Sequence, residues 1–118
     1  MKSYTDLEQS KKLAEILPLE SADMYYYLDP TPAGNIYHLV VQRVDFGIKS
    51  LPQYNEGDIP CWSLVALLNI LPNYQLQTQD DGIGILCSYN GKFNIVTADN
   101  PVDACVELII KLKEQNLI

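Results

Sequence analysis

Cys61 and the chain's single tryptophan, Trp62, open the most apolar stretch of the sequence, IPCWSLVALLNILP at residues 59–72. A thiol at the start of a helix is a candidate nucleophile, because the helix dipole favours the thiolate over the neutral form. Such a nucleophile needs a base within hydrogen-bond reach. The sequence holds one histidine, His38, so a Cys61–His38 pair is the thiol-hydrolase constellation it offers. The competing reading is structural: Cys61 as a small hydrophobe beside a buried tryptophan. The residues favour the second, since nothing else in the chain completes a catalytic set.

Cys61-Trp62 is similar to the dipeptide that begins the buried helix of papain-type cysteine peptidases. The similarity stops there. Asp58-Ile59-Pro60 stands where that family builds its oxyanion hole from glutamine and glycine, and His38 precedes the cysteine instead of following it. Other thiol hydrolases use a different chain order, which keeps the Cys61–His38 pair open as the rival reading.

The remaining chemistry-bearing residues have simpler accounts. One histidine cannot supply the two- or three-histidine set of a zinc enzyme, and His38 is expected as a half-buried, hydrogen-bonded strand residue. Gly82-Ile83-Gly84 resembles the opening of a phosphate loop, but it lacks a third glycine, leads into a strand and is followed by no lysine at the required spacing. Asp80-Asp81 before Gly82 fits a solvated turn, and Asp99 sits just before a helix cap. No cofactor or metal is expected. The eight tyrosines are the one positive signal. Tyr25, Tyr26, Tyr27, Tyr37 and Tyr54 are a candidate aromatic surface for a protein partner or a second copy, since a rigid ring with a polar tip suits interfaces. Alternatively they fill the rim of a small core.

The chain is 118 residues long with a net charge of −7. That length fits a single domain, residues 1–118, able to bury a core without metal or disulfide. No Lys or Arg occurs between Ser50 and Gly91, and the eight cations are scattered. Nucleic acid and anionic membranes are therefore disfavoured partners. Three widely spaced cysteines without a CxxC suit a reducing compartment. The start, MKSYTDLEQS, lacks an apolar signal-peptide region, and no apolar run approaches the roughly 20 residues of a spanning helix. The expected location is the cytoplasm.

These residues must be positioned by elements that the pattern predicts. Thr5-Asp6-Leu7-Glu8 reads as a capping box opening a helix over 6–17, stopped by Pro18. Met24–Leu28 fits a helical turn or a strand. Pro30, Pro32 and Gly34 predict a loop. Ile36–Val44 is expected as a central strand, followed by a long surface connection over 46–58. A second helix, buried on most sides, is expected over 62–71, at the centre of the domain. Strands over 74–79, 83–89 and 92–98 form an antiparallel meander, with turns at Asp80-Asp81-Gly82 and Asn90-Gly91. Asn100 caps a third helix, with Pro101 at its first position. The predicted fold is α+β: N-terminal helix, one strand, central buried helix, three-stranded antiparallel meander and C-terminal helix, with the helices packed on one face of the sheet.

Three segments, LEQSKKLAEILPLESADMYYY, IPCWSLVALLNILP and NPVDACVELIIKLKEQNLI, resemble a family of short proteins of unknown function from gut-dwelling bacteria, often encoded near prophage or other mobile elements. The resemblance implies a compact α+β fold and a mobile-element context, and carries no catalytic residues with it. The expectation is a cytoplasmic, non-enzymatic interaction or accessory protein.

Overall fold

Asn100, two residues past the end of a strand, is in extended conformation, and its side chain accepts a hydrogen bond from the Asp103 amide. Pro101 follows, with φ already set for a helix, and α3 runs over Pro101–Glu114. Pro101, Val102, Ala104, Cys105, Val106, Leu108, Ile109 and Leu112 are all buried. This helix, with Trp62, is the centre of the core. In this computed structural model residues 2–41, 57–79, 82–89 and 92–118 are described. The predicted turns at Asp80-Asp81 and Asn90-Gly91, Tyr54, the end of the predicted strand past Val41 and most of the 46–58 connection lie outside them.

The order is α1 (Leu7–Ala14), β1 (Met24–Thr31), β2 (Gly34–Val41), β3 (Ile59–Cys61), α2 (Leu64–Ile70), β4 (Tyr74–Gln79), β5 (Gly82–Tyr89), β6 (Lys92–Ala98) and α3. Among the described residues the strands form two three-stranded antiparallel sheets, β2-β1-β3 and β4-β5-β6, where the pattern predicts one. The meander has the expected order, with Ile85 opposite both Leu76 and Val96, and Cys87 opposite Tyr74 and Asn94. Ile85, Cys87, Asn94 and Val96 are buried on the face that α3 covers. α1 and α2 pack against α3, and α1 also packs on β3, so the helices lie between the two sheets and are not confined to one face of a single sheet.

The second sheet arises from the segment expected to be mostly loop. Pro32 and Ala33 form a two-residue turn between Thr31 and Gly34, and Met24–Thr31 pairs with β2 along its whole length. Pro30 is tolerated because β3 reaches only Met24, Tyr25 and Tyr26, leaving the rest of β1 bonded on one side. The five pairs beyond Tyr26 extend about 16 Å past β3. Among the described residues β2 is accordingly an edge strand and β1 the central one.

Two further boundaries shift. Asp6, not Thr5, caps α1: its carboxylate accepts from the Gln9 amide at 2.8 Å, and Gln9 Oε1 accepts from the Asp6 amide at 3.1 Å. Ser63 caps α2, which begins two residues later than expected and buries only Ala66 and Leu67, leaving Val65 62% exposed. α2 therefore contributes one face to the core instead of forming its hub.

The N-termini of α1 and α3 are tied together by Lys2 Nζ, 2.9 Å from Asp6 Oδ2 and 2.8 Å from Asp103 Oδ1, with Gln9 Nε2 also donating to Asp103 at 2.8 Å. The hydrogen bond from Lys2 holds the Asp103 carboxyl below its usual range; partial burial opposes this, and Gln9 and Asn100 add to it. A depressed carboxylate contributes stability that is complete above its unfolded value and lost as pH falls through the folded one. Asp103→Asn is expected to flatten the stability–pH curve below about pH 4, and to cost less than about 1 kcal/mol at neutral pH because the side chain is partly exposed. Urea unfolding across that pH range checks both.

Candidate functional site

Pro60 favours extended backbone, and Cys61 lies in β3 opposite Met24, three residues ahead of the first turn of α2. The thiol therefore lacks the helix-N-terminal position that would lower its pKa. It is 0% exposed. Thr5 surrounds it: the Thr5 hydroxyl donates to Cys61 Sγ at 3.4 Å, and the thiol donates to the Thr5 carbonyl at the same distance. The Thr5 hydroxyl also accepts from the Trp62 amide at 3.1 Å and shares a 2.7 Å hydrogen bond with Ser10. Tyr26 donates to the Thr5 carbonyl at 2.8 Å. Thr5 and Ser10 are fully buried, yet no buried side-chain nitrogen or oxygen among the described residues lacks a partner. This closed polar set joins the chain start to β3 and needs no ligand to complete it.

Burial pushes the Cys61 thiol above its ordinary value, and the hydrogen bonds with Thr5, Ser10 and Tyr26 offset only part of that. Burial alone raises Cys87, and burial with Cys87 nearby pushes Cys105 up to about 12. All three thiols are free and buried. Since the thiolate is the nucleophile, each is held in its unreactive form.

His38 lies elsewhere. It sits on β2 opposite Tyr27, more than half exposed, with Nε2 3.3 Å from Asp29 Oδ2 and its ring stacked on Tyr27 at a centroid separation of 6.3 Å. Cys61 pairs with Met24 on one side of β1, while His38 pairs with Tyr27 on the other. Three residues along a strand reverse the face, so the two side chains point to opposite sides of the sheet. The separation is about 10 Å along β1 and about 10 Å across it. The structure does not bring the candidate nucleophile and base together. Among the described residues no three His, Cys, Asp or Glu side chains are grouped as metal ligands.

The candidate tyrosine surface also divides. Tyr25 is 2% exposed and belongs to the core. Tyr26 is half-buried, with its hydroxyl committed to Thr5. Tyr27 and Tyr37 remain at the surface of the hairpin, Tyr37 half-buried with Lys11 Nζ 5.8 Å from its ring centre. They flank opposite faces of the β1–β2 pair and make no continuous patch.

An apolar surface that the tyrosine count does not locate lies on the meander. Phe93 is 72% and Ile95 51% exposed on the face away from α3, with Leu86 opposite Ile95. On the α3 side, Tyr74 and Leu76 of β4 stand 40% and 46% exposed beyond the reach of the helix, which packs on β5 and β6. The alternation in residues 92–98 carries the signal: Phe93 and Ile95 alternate with the buried Asn94 and Val96, and one helix can cover only one face.

A groove of about 250 Å³ beside α2 is lined by Glu20, Ser21, Asp23, Val65, Asn69 and Ile70 among others. Asp23 is already committed there, accepting from the Ser63 amide at 2.9 Å and from its hydroxyl. Cys61→Ala is expected to lower stability by about 1 kcal/mol, the usual centre for single substitutions, without altering the far-ultraviolet spectrum. Urea unfolding followed by circular dichroism checks it.

Comparison of the chain with family models, with curated proteins and with solved structures finds no match.

Proposed function

We propose that this chain is a non-enzymatic interaction or accessory protein of the cytoplasm, acting through its meander surface. The resemblance of its three quoted segments to proteins encoded near mobile elements supports a phage or mobile-element setting. The observation that carries the reading is the contrast between what the fold buries and what it displays. Its three thiols are sealed in the core, whereas Phe93 and Ile95 are displayed together on the outer face of the meander, with Tyr74 and Leu76 exposed on its other face beyond α3. Grouped apolar side chains on a surface mark a place where another molecule docks. The net charge of −7 supports a protein partner over nucleic acid.

The rival, a thiol hydrolase using Cys61 with His38, requires two side chains on opposite faces of one sheet to converge. The test of the interaction reading is retention of host proteins by the tagged chain, compared with a Phe93→Lys/Ile95→Lys variant that still folds. A defined protein retained by the parent and lost by the variant is the expected result. A chain that is strictly monomeric and retains nothing contradicts it.

A further inference from the structure

We propose that β4 pairs with the β4 of a second copy of this chain, antiparallel about a two-fold axis normal to the sheet, making one six-stranded sheet. This rests on the interaction reading and supplies a partner for it. β4 is an edge strand: β5 flanks one side and, among the described residues, no strand flanks the other. Its outward N–H and C=O groups are a template for another strand.

Folded proteins usually protect such edges with charge, proline or brevity. The other edges here have these protections. β3 is three residues long and contains Pro60. β2 carries His38, paired with Asp29 of β1, and Lys11 of α1 lies over its Tyr37 ring. β6 begins at Lys92 and is bordered by a recess lined by Glu107, Lys111 and Glu114 of α3. β4, with the sequence YQLQTQ, has six residues, no charge and no proline.

Charge selects the occupant. Two copies of a −7 chain repel wherever their acidic surfaces meet. β4 and β5 contain no charged residue, and β6 has Lys92 alone, so this sheet is where two copies approach without that cost. A strongly basic or acidic partner would find no complement on it. Pairing about this axis keeps each face of the sheet continuous. Centred on Leu76, this pairing sets the exposed Leu76 against its counterpart and the exposed Tyr74 against Thr78 of the other copy, where α3 stops.

The test is sedimentation equilibrium of the full chain from micromolar to millimolar concentration, alongside Leu76→Lys, Gln75→Lys and Phe93→Lys, each checked by circular dichroism for retained fold. The expected mass rises with concentration from 13.3 kDa to twice that value and no further. Leu76→Lys and Gln75→Lys, on opposite sides of the same strand, both stay at the monomer mass, so one folded variant of the two suffices. Phe93→Lys, on the outer face away from the edge, still doubles. A parent chain monomeric throughout overturns the proposal, as does open-ended growth. Loss of doubling in Phe93→Lys but not in the β4 variants overturns it too, by placing the contact on the sheet face. A monomeric parent that still retains a host protein through Phe93 and Ile95 overturns self-pairing and leaves the interaction reading standing.

Discussion

Replacing Trp62 with alanine is expected to cost about 3–5 kcal/mol of unfolding free energy, the range for deleting a large aromatic side chain from a packed core. Trp62 is fully buried and is the largest side chain in the core, which brings together residues from all three helices and from β1, β5 and β6. Three hydrogen bonds to two other parts of the chain fix its place. Its amide donates to Thr5 Oγ1, its carbonyl accepts from the Thr5 amide at 2.9 Å, and its indole N–H donates to Ser21 Oγ at 2.9 Å. Removing the ring therefore leaves a void that the surrounding elements cannot readily close, because each is held by its own hydrogen bonds. Trp62→Phe keeps much of the volume and loses the indole hydrogen bond, for an expected cost of about 1–2 kcal/mol. Urea unfolding with unchanged m-value measures both, and a Trp62→Ala cost near that of an ordinary surface change would remove Trp62 from the centre of the core.

Gly82→Val is expected to destabilise by about 3 kcal/mol, from backbone strain and a direct clash together. Gly82 opens β5 at φ +139°, which side-chain-bearing residues rarely adopt. A Cβ there would lie 2.2 Å from the Ala98 carbonyl oxygen and 3.0 Å from its carbon. That carbonyl belongs to the last residue of β6, paired with the neighbouring Ile83, so relieving the clash means opening the β5–β6 ladder where it leads into α3. Gly34 separates the two causes. It has φ +132°, but a Cβ at this position would meet nothing within 4 Å. Gly34→Ala is therefore expected to cost about 1 kcal/mol, from strain alone. Thermal and urea unfolding of the two variants, compared side by side, checks the difference.

The elements most readable from the residues are those with several local signals in agreement. Asn100-Pro101 followed by apolar residues at helical spacing marks α3, and strict alternation in YQLQTQ marks β4. The β1–β2 hairpin is hidden from local pattern because Pro30 and Pro32 break strands on average. Here Pro30 falls where β1 has a neighbour on one side only, and Pro32 falls in the turn. That is a tertiary circumstance which no local pattern contains. The start of α2 lies later than the pattern predicts for a related reason. Trp62 and Cys61 are apolar enough to continue the helix, but their backbone is engaged with Thr5 and Met24, far away in sequence, and Ser63 provides the cap. The same long-range contacts hide Cys61. Its neighbours Thr5, Ser10 and Tyr26 come from three other segments, so its burial is a property of the assembled fold.

The exposed residues follow a different logic. Tyr25, Tyr26 and Tyr27 are consecutive, and strand geometry sends them to alternate faces, so a run of tyrosines cannot by itself form one patch. The apolar surface lies instead on Phe93 and Ile95, two residues apart on one face of β6.

A non-enzymatic role depends above all on Cys61 being packed, protonated and without a base. Iodoacetamide treatment of the native chain at neutral pH probes this at the sulfur itself, with each cysteine-containing peptide quantified by mass spectrometry against the urea-unfolded chain. Cys61 is expected to stay unmodified in the native chain, while all three cysteines react once it is unfolded. Rapid native modification of Cys61, ahead of Cys87 and Cys105, would contradict its burial and reopen the case for a thiol nucleophile.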